Sequence, residues 1–344
     1  GGGMRGVVSG GGLTALLDLG MRDLFDATYG SSAGAMNLTY FLAGQPEGAR
    51  AYVDDLASGA FLDLRRLSPS KKIQWRNEPP PRPALDLSVL LDDVMGIVKP
   101  LNWDAIINSH VPLKVVASDL DLLKSVLLED FESVRDLKKC LKASAAVPAL
   151  ATSAAVEHRG LRLVDAAVFE GIPLPSAIAD GCTHVLVLST VSRGAAQTER
   201  GGIGQAAAKV LERAVKQTVL NPPYMKGAWK REAEMEVEGT DEASMAQLLL
   251  AASAHPTDEK TLGKLGGTSA LCIYPDEELL GGSNLGPLSC DKLRLEQGLQ
   301  AGTVAVYDAM EPINNALVRR PFVVAAKRAV VSLISPLVGS RNVD

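Results

Sequence analysis

Aromatic residues are scarce, at 4% of 344 positions, so the interior has to be built largely from Leu, Val and Ala. Cysteine and histidine are scarcer still, with four of each. Cys140, Cys182, Cys272 and Cys290 stand far apart, as do His110, His158, His184 and His255. No CxxC or HExxH spacing links them, which argues against a disulfide framework or a zinc motif and leaves reduced thiols. Neither a metal nor a cofactor is expected. An excess of positive charge is also lacking: 35 Lys and Arg against 40 Asp and Glu give a net charge of −5. A general nucleic-acid binder, which must neutralise phosphates, is therefore disfavoured. No uncharged apolar run reaches the roughly 18 residues of a membrane span. Apolar residues at 47% and charged residues at 22% are ordinary globular proportions and exclude a mainly disordered chain.

Two glycine-bearing segments stand out. The chain opens on Gly1-Gly2-Gly3-Met4-Arg5-Gly6, and Gly30-Ser31-Ser32-Ala33-Gly34 follows later. Between them Leu13, Leu16, Leu17 and Met21 recur at helical spacing, and residues 25–29 form a short β-prone run. Residues 33–43 read as another helix, closed by Gly44 and Pro46. Loop, helix, strand, sharp turn and helix in that order describe a parallel α/β sheet. A glycine loop ordinarily follows a strand, so the chain reads as an excerpt of a longer one, with its first strand and any targeting signal upstream. An intracellular protein, soluble or peripheral to a membrane, is the expectation.

Further strands are predicted at 113–118, 161–164, 184–188 and 270–274, and helices at 137–146, 204–219, 241–252 and 291–310. Residues 62–85 carry Arg65, Arg66, Lys71, Lys72, Arg76 and Arg82 around Trp75 and Pro79-Pro80-Pro81. That stretch is either a solvated crossing loop or a lid that meets anionic lipid headgroups. The apolar run 321–337 with Lys327 and Arg328 is a core-packing helix or a surface anchor. No repeat or linker divides the chain, so one three-layer domain is expected over 1–318, followed by a basic, apolar segment at 319–344.

Gly30-Ser31-Ser32-Ala33-Gly34 matches GxSxG, in which a strand turns abruptly into a helix and leaves the serine at a strained apex. The plainer alternative makes Ser32 a helix N-cap. Gly1, Gly3 and Gly6 formally fit GxGxxG, but no acid follows a second strand at the spacing of a dinucleotide site, and Asp18 and Asp26 sit in the wrong elements. From Gly3 to Ser32 there is room for one helix and one short strand. The two glycine segments then lie close together, and bare backbone N–H groups beside a serine make an oxyanion hole, with Arg5 adding positive charge. The serine needs a base. The only late histidine, His255, lies in a polar stretch with the look of a surface loop, so carboxylates remain. Asp165 ends a Leu-Arg-Leu-Val run and opens the turn Asp165-Ala166-Ala167. At the end of a strand in a parallel sheet it would point to the face of the elbow, and pairing with serine would require a desolvated carboxyl of raised pKa. Otherwise it is an ordinary turn or cap residue.

The opening glycines, the GxSxG segment and Asp165 before a small-residue turn together resemble the patatin-like phospholipase family, in the right order and at credible spacing. The segment Lys142-Ala143-Ser144-Ala145-Ala146-Val147-Pro148 also resembles that family's serine- and alanine-rich, proline-ended block. The resemblance extends to Tyr274-Pro275 and the helix from Asp291, covers nearly the whole chain, and is to the bacterial-type single-domain branch. It implies a three-layer α/β/α fold with a mainly parallel central sheet. It also implies hydrolysis of phospholipid or other lipid acyl esters by a Ser32–Asp165 dyad without histidine or metal. Gly2, Gly3 and Met4, with Arg5, would then hold the oxyanion, and the partners would be a lipid ester and a membrane surface rather than nucleic acid. One departure matters: the family has Asp-Gly-Gly or Asp-Gly-Ala where this chain has Ala166 and Ala167. Alanine resists positive φ and would re-aim the carboxylate if the turn needs it. A catalytically weakened relative that binds lipid or protein is the rival reading.

Overall fold

The first helix begins earlier than the leucine spacing predicts, and its glycines explain why. α1 spans Gly6–Asp18 and carries Gly10, Gly11 and Gly12 in its interior, where each costs roughly 1 kcal/mol relative to alanine. α7, Lys292–Leu317, lies against this face. A Cβ on Gly11 would come within 2.0 Å of the Leu299 carbonyl oxygen, and one on Gly302 within 1.8 Å of the Val8 carbonyl oxygen. Only glycine lets the two backbones touch. Val7, Val8 and Leu16 on α1 share the main core with Leu295, Ala301 and Val306 on α7, and that burial offsets the helix penalty.

The computed structural model describes residues 1–67, 82–152, 154–198, 263–265 and 268–317. β1 (Thr28–Ser31) leads into α2 (Ala33–Leu42) and pairs parallel with β2 (Leu113–Asp119). After the short α3 (Trp103–Ile107) and β2, strand β3 (Lys124–Leu128) returns antiparallel on β2. α4 (Val134–Ser144) follows, with Leu137, Cys140, Leu141 and Ser144 buried at helical spacing. The hairpin of β4 (Val156–His158) and β5 (Leu161–Val164) completes the first sheet. Beyond α5 (Leu174–Ala179), β6 (His184–Leu188) leads to the short α6 (Arg193–Thr198) and pairs parallel with β8 (Thr268–Ile273), and β7 (Gly263–Leu265) pairs antiparallel with β8. Helices packed on mixed sheets give the expected α/β class, with parallel pairing at β1–β2 and β6–β8.

The direction of β5 corrects the expectation for Asp165. β5 is antiparallel to β2, with Val164 opposite Ser118. Thr28 N–H donates to the Pro112 carbonyl, and Leu120 N–H donates to the Arg162 carbonyl. Alternate residues of a strand present their polar groups to the same edge, so β1 and β5 lie end to end along one edge of β2. They run towards each other and stop, Ser31 opposite Val116 and Val164 opposite Ser118. Ser32 and Asp165 therefore meet head-on over the middle of β2.

Several expectations lie outside the described residues: the helices at 204–219 and 241–252, the segment 319–344, His255, and Lys71, Lys72, Trp75, Arg76 and Pro79-Pro80-Pro81 of the basic stretch. The base of that stretch is closed by a bridge between Leu62 and Leu85. Arg65 is paired with Asp63, Arg66 donates to the carbonyls of Gly59, Ala60 and Pro83, and Arg82 is exposed. No helix among the described residues is long and apolar enough to cross a membrane.

Candidate active site

Ser32 has φ 52° and ψ −122°, a strained left-handed conformation between β1 and α2. Gly30 makes the bend possible, because a Cβ there would lie 2.5 Å from the Ala35 Cα. Ser32 holds the N-cap position of α2 but makes no side-chain cap. Its Oγ donates instead to Asp165 Oδ2 at 2.8 Å.

Asp165 follows β5 and is 3% exposed. Its Oδ1 accepts from Ala167 N–H at 2.8 Å, and its own N–H donates to the Ala146 carbonyl at 3.1 Å. Burial pushes the carboxyl up to about 6, against the hydrogen bonds from Ala167 and Ser32 that favour the ionised form. Ala166 opens a short 3₁₀ turn and is absent from the non-glycine residues at positive φ among the described residues. The turn therefore accepts alanine, and the carboxylate reaches the serine.

The opening glycines sit beside this pair. Gly1 packs on the elbow: a Cβ on Gly1 would lie 2.6 Å from the Ser31 carbonyl oxygen, and one on Gly34 would lie 3.1 Å from Gly1 N. Thr190, just past β6, donates to the Gly1 carbonyl. Gly3, Met4 and Arg5 form a 3₁₀ turn that runs into Gly6 and α1. Its amides are not equivalent. Met4 N–H donates to the Pro287 carbonyl at 2.9 Å and Arg5 N–H to the Gly2 carbonyl at 3.2 Å. In this conformation those two amides are engaged, whereas Gly2 and Gly3 N–H meet no acceptor among the described residues. Ala33 N–H, at the start of α2, is equally unengaged. The sequence reading passed over Ala33, although the residue after a nucleophile ordinarily supplies one oxyanion donor.

Three histidines are described, and each has a partner away from the dyad: His110 faces Asp23, His184 contacts Thr183, and His158 contacts Asp136. The last contact belongs to a cluster that sequence spacing hid, Asp136 and Cys140 on α4 with His158 from β4. Asp136 Oδ1 lies 2.7 Å from His158 Nε2, and Oδ2 accepts from the Arg159 guanidinium. Arg159 holds the Asp136 carboxyl below the usual range, and burial pushes the Cys140 thiol up to about 12. A dication would meet a resident guanidinium here, so the cluster reads as an ion-pair clamp between helix and hairpin.

A family model described as patatin-like phospholipase matches residues 1–178, which include the glycine loop, the elbow and Asp165. Comparison with curated proteins found no match.

Proposed function

The chain belongs to the patatin-like phospholipase family, and from that premise we propose that it hydrolyses lipid acyl esters with Ser32 as nucleophile and Asp165 as general base. The family supports a lipid substrate at this coarse level; the assignment of roles rests on the buried contact of 2.8 Å between Ser32 Oγ and Asp165 Oδ2. Ser32 Oγ attacks the ester carbonyl carbon while its proton passes to Asp165 Oδ2. Negative charge develops on the carbonyl oxygen and is met by the N–H groups of Gly2, Gly3 and Ala33. Collapse of the tetrahedral intermediate breaks the ester bond, and the departing alkoxide takes the proton from Asp165. A water molecule, losing its proton to Asp165, then attacks the acyl-serine; as the second intermediate collapses, Ser32 Oγ leaves with that proton from Asp165 and the fatty acid is released. No histidine enters the cycle. The rival reading of a weakened binding module draws on Ala166; the contact of Asp165 with Ser32 supports the hydrolase over it.

A fluorophosphonate probe with peptide mapping tests the assignment. Wild type is expected to be labelled at Ser32 and to hydrolyse a short-chain p-nitrophenyl ester, and Ser32→Ala to do neither. Labelling at another serine, or an unlabelled and inactive wild type, would overturn it.

A further inference from the structure

The segment Lys142-Ala143-Ser144-Ala145-Ala146-Val147-Pro148 supplies neither nucleophile, base nor oxyanion donor, yet it touches both halves of the dyad. We infer that Ser144 is a positioning residue, whose hydroxyl replaces the last rung of the β1–β2 ladder and so holds Ser32 in its strained geometry. This role rests on Ser32 being the nucleophile.

The register carries the argument. Thr28 N–H donates to the Pro112 carbonyl. In a parallel pair successive donors on one strand are two residues apart, so Gly30 would donate to Lys114 and Ser32 to Val116, in keeping with the pairing of Ser31 and Val116. At that last rung the chain must leave the sheet to form the elbow. Ser144 Oγ is inserted there instead. It accepts from Ser32 N–H at 2.8 Å and donates to the Val116 carbonyl at 2.5 Å. One hydroxyl thus satisfies both groups that the departing strand would leave buried and unpaired.

Ser144 is completely buried, at 0% exposure, so bulk water does not reach the hydroxyl's position. A non-glycine residue at φ 52° persists only where its surroundings over-determine it. The Ser144 bridge fixes the amide side of that residue, while Asp165 fixes its hydroxyl. Two residues further on, the Ala146 carbonyl accepts from Asp165 N–H. The end of α4 therefore sets the distance between nucleophile and base. Ser144 itself never meets substrate, because its proton is committed to Val116.

Steady-state kinetics on a soluble p-nitrophenyl ester, normalised by fluorophosphonate titration of active sites, tests this in Ser144→Ala. A fall in kcat of about tenfold to a hundredfold is expected, the scale of a misplacement near 1 Å. KM is expected to stay within about threefold, because no substrate contact is lost. The apparent pKa of the rate profile is expected to rise, because a displaced Ser32 supports the ionised Asp165 less while its burial is unchanged. A kcat per titrated site within about twofold of wild type would overturn the role even if the thermal midpoint fell. Should Ser144→Ala fail to fold, amide hydrogen exchange in the wild type decides: slow exchange at Ser32 N–H is expected, and exchange at the rate of an open loop would overturn the bridge. Wild-type labelling at a residue other than Ser32 would overturn the nucleophile assignment itself, an outcome distinct from unchanged kcat in Ser144→Ala.

Discussion

A carboxyl group inside a protein prefers its neutral form unless enough donors hold the charge, and Asp165 has two. Ser32 and Ala167 each supply one hydrogen bond, and burial still wins, pushing the group up to about 6, well above the ordinary carboxylate range. Only the ionised form accepts the serine proton. Esterase kcat/KM is therefore expected to rise through pH 6 to a plateau above pH 7, with no second limb from a histidine base. The same shift acts on stability with the opposite sign. The folded state holds this proton more tightly than the unfolded chain, so the stabilising effect is complete below about pH 4 and is lost as pH rises through 6. Asp165→Asn keeps the shape and removes the charge. It is expected to lose at least about 10²-fold in kcat/KM. Relative to wild type it is expected to gain stability at pH 7.5 of up to about 3 kcal/mol, with the gain gone at pH 4. Urea titrations at the two pH values check this; an Asn variant no more stable than wild type at pH 7.5 would show that Asp165 is ionised without cost. The sequence named both residues, Ser32 from a turn fixed by local backbone geometry and Asp165 from a strand-end argument whose parallel strand proves antiparallel. Ser144 was legible only as part of a block, because its partners Ser32 and Val116 are remote in sequence and fixed by strand register.

Among elements, the strands that run through apolar residues were readable, and those that depend on a turn were not. Residues 161–164 and 184–188 were placed to the residue as β5 and β6. The direction of β5 on β2 was missed because the hairpin that delivers β5, turned by the two-residue loop Arg159-Gly160, was not recognised. Both residues are at positive φ, 51° and 75°, as a hairpin of this hand requires. Arginine in the first position hides the usual Asn-Gly or Asp-Gly signal. Its guanidinium compensates by pairing with Asp136 and donating to the Glu129 and Asp130 carbonyls, which bolts the hairpin to α4. Arg159→Ala is thus expected to cost about 2 kcal/mol through lost charge-assisted hydrogen bonds. The kcat per active site should change little, since Asp165 is anchored independently by Ala146 and Ala167. Chemical denaturation beside active-site titration separates the two effects; an unchanged midpoint would mean that the pairing is solvated and carries no load. β3 and the three-residue β4 escaped notice for a simpler reason, because short edge strands carry almost no periodicity.

At the scale of the whole molecule, the family model ends at residue 178, whereas the site's support does not. The turn at Gly3–Arg5 is seated on Pro287: Met4 N–H donates to its carbonyl, and Gly3 passes so close that a Cβ would lie 2.5 Å from the same oxygen. Behind the turn, the glycine face of α1 lies on α7, where Val7, Val8 and Leu16 share the core with Leu295, Ala301 and Val306. A fragment of residues 1–178 would keep Ser32, Ser144 and Asp165 and still lose this cover. Exposing three such side chains costs roughly 1.5–3 kcal/mol each, against a total stability for typical domains of about 5–15 kcal/mol. The glycines add to the loss, because Gly10, Gly11 and Gly12 weaken a helix that no longer has a partner. The 1–178 fragment is therefore expected to lack a cooperative unfolding transition and to show no esterase activity, although every residue of the dyad and its bridge is present. Circular dichroism through a thermal ramp, with fluorophosphonate labelling of the same sample, measures both. A fragment that unfolds cooperatively and labels at Ser32 at the full-length rate would show that the glycine turn holds its shape without Pro287, and that α7 covers the site without building it.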